Sequence, residues 1–305
     1  MLLKLSQNHT MQSAFSRYRW AQRAARRFIA GERLDEAIAV VRDLNARNIL
    51  ATLDHLGENT TTEREAIAAA DEYLTILDTI AQTGVRSEIS LKLTQMGLDI
   101  SYELCLQNMR RIVERARMYH NFVCIDMESS AYTDRTLDLY EALRREGFDN
   151  VGPVIQAYLR RSARDVERLI EWGVKVRICK GAYQEPPSIA FPSKRDVDRN
   201  YIKLLEMFFS ARAQEKGVYP AIATHDEKII RWAIAYVREH NIPRDRFEFQ
   251  MLYGIRRDLQ LKLAQEGYRV RVYVSYGTHW YPYFMRRLAE RPANVLFLVK
   301  NLIKG

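Results

Sequence analysis

Eight short runs rich in valine, isoleucine and aromatic residues recur along the chain, each followed by a longer amphipathic stretch. The runs cover 48–56, 87–93, 122–128, 152–158, 175–182, 219–225, 247–253 and 269–276. Strands separated by helices pair in parallel, and eight such units in one chain favour a closed barrel over an open sheet. An open doubly wound sheet would carry a GxGxxG turn after its first strand, and the sequence has none there. The expected fold class is α/β, a (βα)8 TIM-type barrel, for which 305 residues suffice with an extension to spare.

That extension is N-terminal. Residues 11–45 are rich in strong helix formers, with Gly31 as a break, and read as two or three arm helices. The expected organisation is a helical arm over 1–45 and a catalytic barrel over 46–305, together one structural domain. Within the barrel, Thr62-x-x-Glu65, Ser162-x-x-Asp165 and Ser193-x-x-Asp196 each fit a capping box. Ile67, Ala70, Leu74 and Leu77 recur at steps of three and four, an apolar stripe with which the first barrel helix covers the sheet.

Composition narrows the function classes. Apolar residues at 47% and charged residues at 28% exclude a disordered or collagenous chain. Cys105, Cys124 and Cys179 are odd in number and far apart, giving neither a CxxC metal pair nor a disulfide framework, which suits a reducing cytoplasm. The opening residues lack a signal-length apolar stretch, and no segment approaches about 18 uninterrupted apolar residues, so neither export nor a membrane span is expected. A net charge of +9 suits nucleic acid, an anionic membrane surface or an anionic ligand, but its spread over helices of mixed sign reads first as a solvated basic surface.

In such a barrel the chemistry sits at the C-terminal ends of the strands. Those ends are polar here: Asp54 and His55 in the first run with Glu58 just beyond it, Lys92 in the second, Asp126 and Glu128 in the third and Gln156 in the fourth. Arg177, Lys180, Gly181, Ala182 and Tyr183 follow in the fifth, Thr224 and His225 in the sixth, Tyr273 in the eighth, and Arg286 and Arg287 on the helix beyond. Each has an ordinary explanation. Lys92 can snorkel, Asp126 and Glu128 can be structural ion-pair partners, Lys180-Gly181-Ala182 can be a plain loop, and a lone His225 is commonly structural. Yet buried charges must be paired, hydrated or liganded. So many at the same end of successive strands point to an occupied, net basic mouth suited to phosphates and a carboxylate.

The segments LDHLGE (53–58), SLKLTQMG (90–97), CIDME (124–128), VRICKGAY (176–183), ATHD (223–226), FQMLYG (249–254) and YGTHWYPYFMRRLAER (276–291) together resemble the proline dehydrogenase family in its short monofunctional bacterial form. The resemblance runs from about residue 30 to the C-terminus, and KGAY, FQMLYG and MRRLAER in that order carry most of its specificity.

That resemblance implies a barrel holding noncovalent FAD at its mouth and oxidising L-proline to 1-pyrroline-5-carboxylate, with electrons passing to a quinone. By position, Gln156 and Arg177 would contact the isoalloxazine, with Arg177 near N5 and Met127 against the ring. Lys180, Gly181 and Ala182 would meet the pyrophosphate and ribityl portion, and Thr224 and His225 the adenosine side. Arg286 and Arg287 would clamp the proline carboxylate, Lys92 would add a third cation, Tyr273 would pack on the ring, Asp126 would hold the basic side chains, and Glu58 would pair with Arg286 or Arg287. One departure from the family pattern is Ser275, where a proline is common.

Three rival readings stand beside this one. A cofactor-free lyase would form a Schiff base on Lys180 or Lys92. A metal-dependent hydrolase would need paired ligands, whereas the six histidines include no HxH or HExxH, so no metal is expected. A nucleic-acid binder would interleave stacking aromatics with its basic residues, and this chain does not, so no nucleic acid is expected. A cytoplasmic protein in peripheral contact with a membrane surface fits the quinone and the basic charge.

Overall fold

The computed structural model describes residues 26–290, apart from the side chains of Arg286 and of residues 288–290. Its elements in chain order are α1 (Leu34–Ala46), β1 (Leu50–His55), α2 (Glu63–Thr83), β2 (Ser87–Leu91), α3 (Tyr102–Met118), β3 (Val123–Ile125), α4 (Thr133–Arg145), β4 (Val151–Gln156), α5 (Ser162–Trp172) and β5 (Lys175–Cys179). There follow α6 (Lys194–Phe208), α7 (Ala211–Glu215), β6 (Tyr219–Ala223), α8 (Glu227–Glu239), β7 (Glu248–Leu252), α9 (Arg257–Gln265), β8 (Val270–Tyr276) and α10 (Trp280–Glu290). All eight strands are parallel, each pairs with the next, and β8 closes on β1, with Leu53 opposite Val274. The expected barrel is the fold that forms.

Alternation explains why it closes around polar chemistry. Ala51 and Leu53, Ile89 and Leu91, Val176 and Ile178, Phe249 and Met251, and Val272 and Val274 are all buried and belong to one apolar core with the helices. Residues between them point the other way. Arg271 on β8 and Lys175 on β5 both reach Glu88 on β2, at 3.1 and 2.6 Å, and strands so far apart in the sheet can meet only through the barrel's interior.

Local signals held in part. Thr62 caps α2 with a full capping box, its hydroxyl accepting from Glu65 N–H at 3.2 Å and the Glu65 carboxylate accepting from Thr62 N–H at 3.2 Å. Ser193 caps α6 by accepting from Asp196 N–H at 3.1 Å, but its hydroxyl also donates to the Asp196 carboxylate at 2.7 Å. Ser162 is no cap: it lies inside α5, its hydroxyl donates to the Gln156 carbonyl at the end of β4, and Arg161 precedes the helix, bonded to Asp165 at 2.8 Å. The stripe of α2 is also rotated from the expected one. Ala66, Ala70, Tyr73, Ile76, Leu77 and Ile80 are buried while Ile67 is 41% exposed, because the neighbouring strands select among several faces with similar spacing.

The arm differs most. Residues 1–25 lie outside the described residues, and 26–33 are not helical. Their backbone is committed elsewhere: Ala30 N–H donates to the Ser275 carbonyl at 2.9 Å and Gly277 N–H to the Gly31 carbonyl at 3.0 Å, tying this segment to the end of β8. Ala37, Ile38 and Val41 of α1 are buried in the main core, where α1 packs on β1 and β8. Helix α10 instead joins a separate cluster with Phe28, Ile29, Leu56 and Ile255, which brings it to the strand ends and carries Arg287 to the mouth.

Candidate active site

The inner face of the barrel carries an ordered stack of charge. Lowest are Glu88, Lys175, Glu248 and Arg271, with Lys175 at 3.0 Å and Arg271 at 2.8 Å from Glu248. Above them Gln250 donates to Glu248 at 2.6 Å and accepts from Arg177 Nε at 2.6 Å. Higher still, Asp126 accepts from Arg177 Nη1 at 2.6 Å, Ser90 Oγ at 2.7 Å and Tyr273 OH at 2.6 Å, with Lys92 Nζ at 3.5 Å. Lys92 lies between Asp126 and Asp54, 3.7 Å from the latter, and Ser275 donates to Asp54 at 3.1 Å. The residue that departs from the family pattern thus supports a carboxylate behind Lys92. The Arg177 guanidinium also stacks over the Tyr273 ring, 5.1 Å from its centroid.

Burial and pairing compete at every group here. Burial disfavours ionised Asp126, yet Lys92 and Arg177 outweigh it and hold the carboxyl below the usual aspartate range. At Asp54 burial wins over the attraction of Lys92, and the carboxyl is raised. Burial disfavours charge on Lys92, but Asp54, Asp126 and Glu58 more than offset it and keep the ammonium protonated. For Tyr273, burial and then the Asp126 charge push the phenol up, so it serves as a donor.

These residues open onto a cavity of about 830 Å³. Of the expected site residues, Lys92, Asp126, Met127, Gln156, Arg177, Lys180, Gly181, Ala182, Thr224, His225, Tyr273 and Arg287 all line it. Eight Lys and Arg side chains against three carboxylates line it among the described residues, so it is a basic vessel. Arg286 cannot be placed with them, since its side chain lies outside the described residues. Glu58, also outside the lining, is half-buried and acts electrostatically on Lys92 and Glu128.

Several lining groups already have partners. Lys180 bonds Asp226 at 2.8 Å and Asp198, and Lys194 bonds the same two carboxylates. The Thr224 hydroxyl accepts from Asp226 N–H at 3.1 Å, and His225 Nε2 accepts from Leu252 N–H at 3.0 Å. Gln156 donates to the Met127 and Glu128 carbonyls, at 3.1 and 3.3 Å. Gln156 Oε1, an acceptor, and Arg177 Nη2, a donor, are buried without a partner among the described residues, and both residues line the cavity. Unpaired buried polar atoms are costly and therefore informative.

The lower layer and Gln250 lie below the strand ends, outside the residues that the strand-end pattern singles out. The signal was present: Glu88-x-Ser90-x-Lys92, Lys175-x-Arg177, Glu248-x-Gln250 and Arg271-x-Tyr273-x-Ser275 are polar at every second position. Glu128 was named, but its lasting partner was not. Thr94 donates its N–H at 3.1 Å and its hydroxyl at 2.8 Å, yet burial pushes this carboxyl up to about 7. A carboxyl that binds its proton more tightly folded than unfolded makes stability fall as pH rises from about 4.5 to about 7, and level off above. Glu128→Gln should remove that slope, gaining on the order of 3 kcal/mol relative to the parent between pH 4 and pH 8. Denaturant titrations at the two pH values check this, and parallel pH dependences would contradict it.

A family profile described as proline dehydrogenase matches residues 37–300. The chain is 44% identical over 304 residues to Proline dehydrogenase 1 of Bacillus subtilis (strain 168), covering 100% of this chain and 98% of that protein. It is 43% identical over 285 residues to Proline dehydrogenase of Deinococcus radiodurans, covering 92% and 90%. Among solved structures it is similar to proline utilization A (PutA) from Bdellovibrio bacteriovorus inactivated by N-propargylglycine, with TM-score 0.82 and 27% identity over 88% of this chain. The chain spans 33% of that longer protein.

Proposed function

The chain belongs to the proline dehydrogenase family, and on that premise we propose that it oxidises L-proline to 1-pyrroline-5-carboxylate at the barrel mouth, with FAD as its cofactor. One observation carries the reading. A basic cavity of about 830 Å³ is lined by Gln156 and Arg177, whose Oε1 and Nη2 are buried polar atoms without a partner among the described residues, one acceptor and one donor, as a heteroaromatic ring system with both kinds of edge atom requires.

The residues present fit the group. Gln156, Arg177 and Met127 would hold the isoalloxazine; Lys180, Gly181 and Ala182 the pyrophosphate and ribityl portion; Thr224 and His225 the adenosine side. Gly181 supports this, because its φ of +113° and a Cβ that would lie 2.3 Å from the Tyr158 ring leave bare backbone facing the lining. Gly181→Ala should weaken flavin affinity by about tenfold or more through the forced shift of this loop, a strain of roughly 1–3 kcal/mol. Titration of the flavin-free protein with FAD tests it, and unchanged affinity would contradict it. Lys180 would exchange one of its two carboxylates for phosphate oxygen.

Bound FAD supplies the hydride acceptor. The chain's own residues do the rest. Lys92 and Arg287 attract the proline carboxylate, with Arg286 proposed as the second arginine of the clamp and Glu58 as its ion-pair partner. A guanidinium fork fixes the orientation of that carboxylate, and thereby of C5–H. Tyr273 packs against the pyrrolidine ring and bounds its volume. Asp126 holds Lys92, Arg177 and Tyr273 in one geometry, and Arg177 places positive charge where negative charge arrives.

The Schiff-base alternative loses ground on two observations. Lys92 is held as an ammonium between two carboxylates, and Lys180 is engaged by two more. For the electron acceptor we infer a membrane quinone, reached by a cytoplasmic protein whose net charge of +9 favours peripheral contact with anionic lipid. Among the described residues no helix is long and apolar enough to cross a membrane. Incubation with L-proline and a soluble quinone, followed by mass spectrometry, tests the activity. 1-Pyrroline-5-carboxylate formed only when FAD is present supports the reading; product without flavin, or none with it, overturns it.

A further inference from the structure

We propose that Gln250 and Glu248 form a relay that fixes the in-plane orientation of the Arg177 guanidinium and so sets the direction of its one nitrogen unpartnered among the described residues. The inference rests on the flavin reading above and concerns how Gln250, itself in the cavity lining, and Glu248, outside it, act through Arg177 as positioning residues.

The relay follows from what each group can do. A guanidinium only donates and a carboxylate only accepts. Gln250 stands between them, 2.6 Å from Arg177 Nε and 2.6 Å from Glu248 Oε1, so its amide has one workable orientation: carbonyl to the arginine, NH₂ to the glutamate. The reverse would set donor against donor and acceptor against acceptor in a buried site. Glu248 is only 1% exposed, is not among the cavity-lining residues, and is anchored by Lys175 and Arg271 at 3.0 and 2.8 Å.

Arg177 needs that second anchor. Its Nη1 donates to Asp126 at 2.6 Å and Ser90 at 3.0 Å, a contact about which the planar group could still pivot. Stacking on Tyr273 restricts tilt of the plane but not rotation within it. The Gln250 bond at Nε removes that rotation. Two fixed nitrogens on a rigid plane set the direction of the third, and the third is Nη2, the donor without a partner among the described residues. The lower layer of charge thereby has a role beyond holding the barrel together: it transmits a fixed orientation from Lys175 and Arg271 up to the cavity.

The test uses the FAD-loaded protein with Gln250→Met, Glu248→Gln, and the double exchange Gln250→Glu with Glu248→Gln. In the double exchange the carboxylate at position 250 accepts from Arg177, and the amide at position 248 donates to it while accepting from Arg271. Gln250→Met should shift the visible flavin bands and slow anaerobic flavin reduction by about tenfold or more. KM for proline should stay within about twofold, because the carboxylate-binding cations are untouched. Glu248→Gln should do the same more weakly, and the double exchange should return both readouts close to the parent. A parent-like spectrum and reduction rate in Gln250→Met overturn the relay. So does a double exchange that folds and binds flavin yet recovers neither readout, as mere packing would predict. Should Gln250→Met not fold, the double exchange decides alone. A parent protein whose flavin proline does not reduce counts against the proposed function, while the relay is still judged by the band shift; a parent that takes no flavin overturns both.

Discussion

Asp126→Asn lowers kcat/KM for L-proline by about 10²- to 10⁴-fold and destabilises the protein by roughly 3–5 kcal/mol. Asp126 is the shared acceptor for Arg177, Ser90 and Tyr273, with Lys92 3.5 Å away. An amide keeps one acceptor and turns its NH₂ towards either Arg177 or Lys92, which can only donate, and it leaves Lys92 with Asp54 as its remaining ion-pair carboxylate. The sign of the pH dependence follows. The folded-state pKa of Asp126 is depressed, so its contribution is present above the unfolded aspartate value of about 3.9 and is lost as pH falls through the lower folded value. The difference between parent and variant should therefore hold from neutral pH down to about 4 and shrink below it. Denaturant unfolding across that range, with steady-state kinetics at neutral pH, measures both effects. A loss under about 1 kcal/mol with kcat/KM within tenfold would contradict the arrangement.

Arg287→Ala raises KM for L-proline by about 10- to 150-fold and leaves the flavin bound, since one charged contact worth about 1.5–3 kcal/mol is removed from the substrate and none from the cofactor. Arg287 lines the cavity, is 9% exposed and stacks over Tyr283, 5.1 Å from the ring centroid, so its fork is already oriented before any carboxylate arrives. Arg287→Lys should fall between the two, keeping charge but losing the bidentate geometry. Kinetics with flavin content measured on the same samples separates these outcomes. Unchanged KM in Arg287→Ala, or loss of flavin with it, would remove this arginine from the carboxylate clamp.

Eight β-branched and aromatic runs fixed the barrel because a period of strands and helices is written in local sequence. The mouth was legible for a related reason: ionisable residues such as Lys92 and Arg177 interrupt otherwise apolar strands, and only a filled or paired interior tolerates them. The segment at 26–33 was not legible, since the partners that pull Ala30 and Gly31 out of a helix are Ser275 and Gly277, distant in sequence. Nor was the buried face of α2. Steps of three and four describe the stripe through Ile67 as well as the one through Ala66, and contact with the sheet chooses between them. Glu248 and Gln250 were missed although their alternation was visible. Their meaning lies in a chain of contacts from β7 to β5 that only the closed sheet brings about.

The visible spectrum of the purified protein, recorded without air before and after L-proline is added, bears on all of this at once. The expected result is a flavin spectrum that bleaches on addition of L-proline and returns with a quinone. A protein that takes up no flavin, or whose flavin keeps its colour in saturating L-proline, would contradict the assignment of the basic cavity to a dinucleotide and an amino acid held side by side.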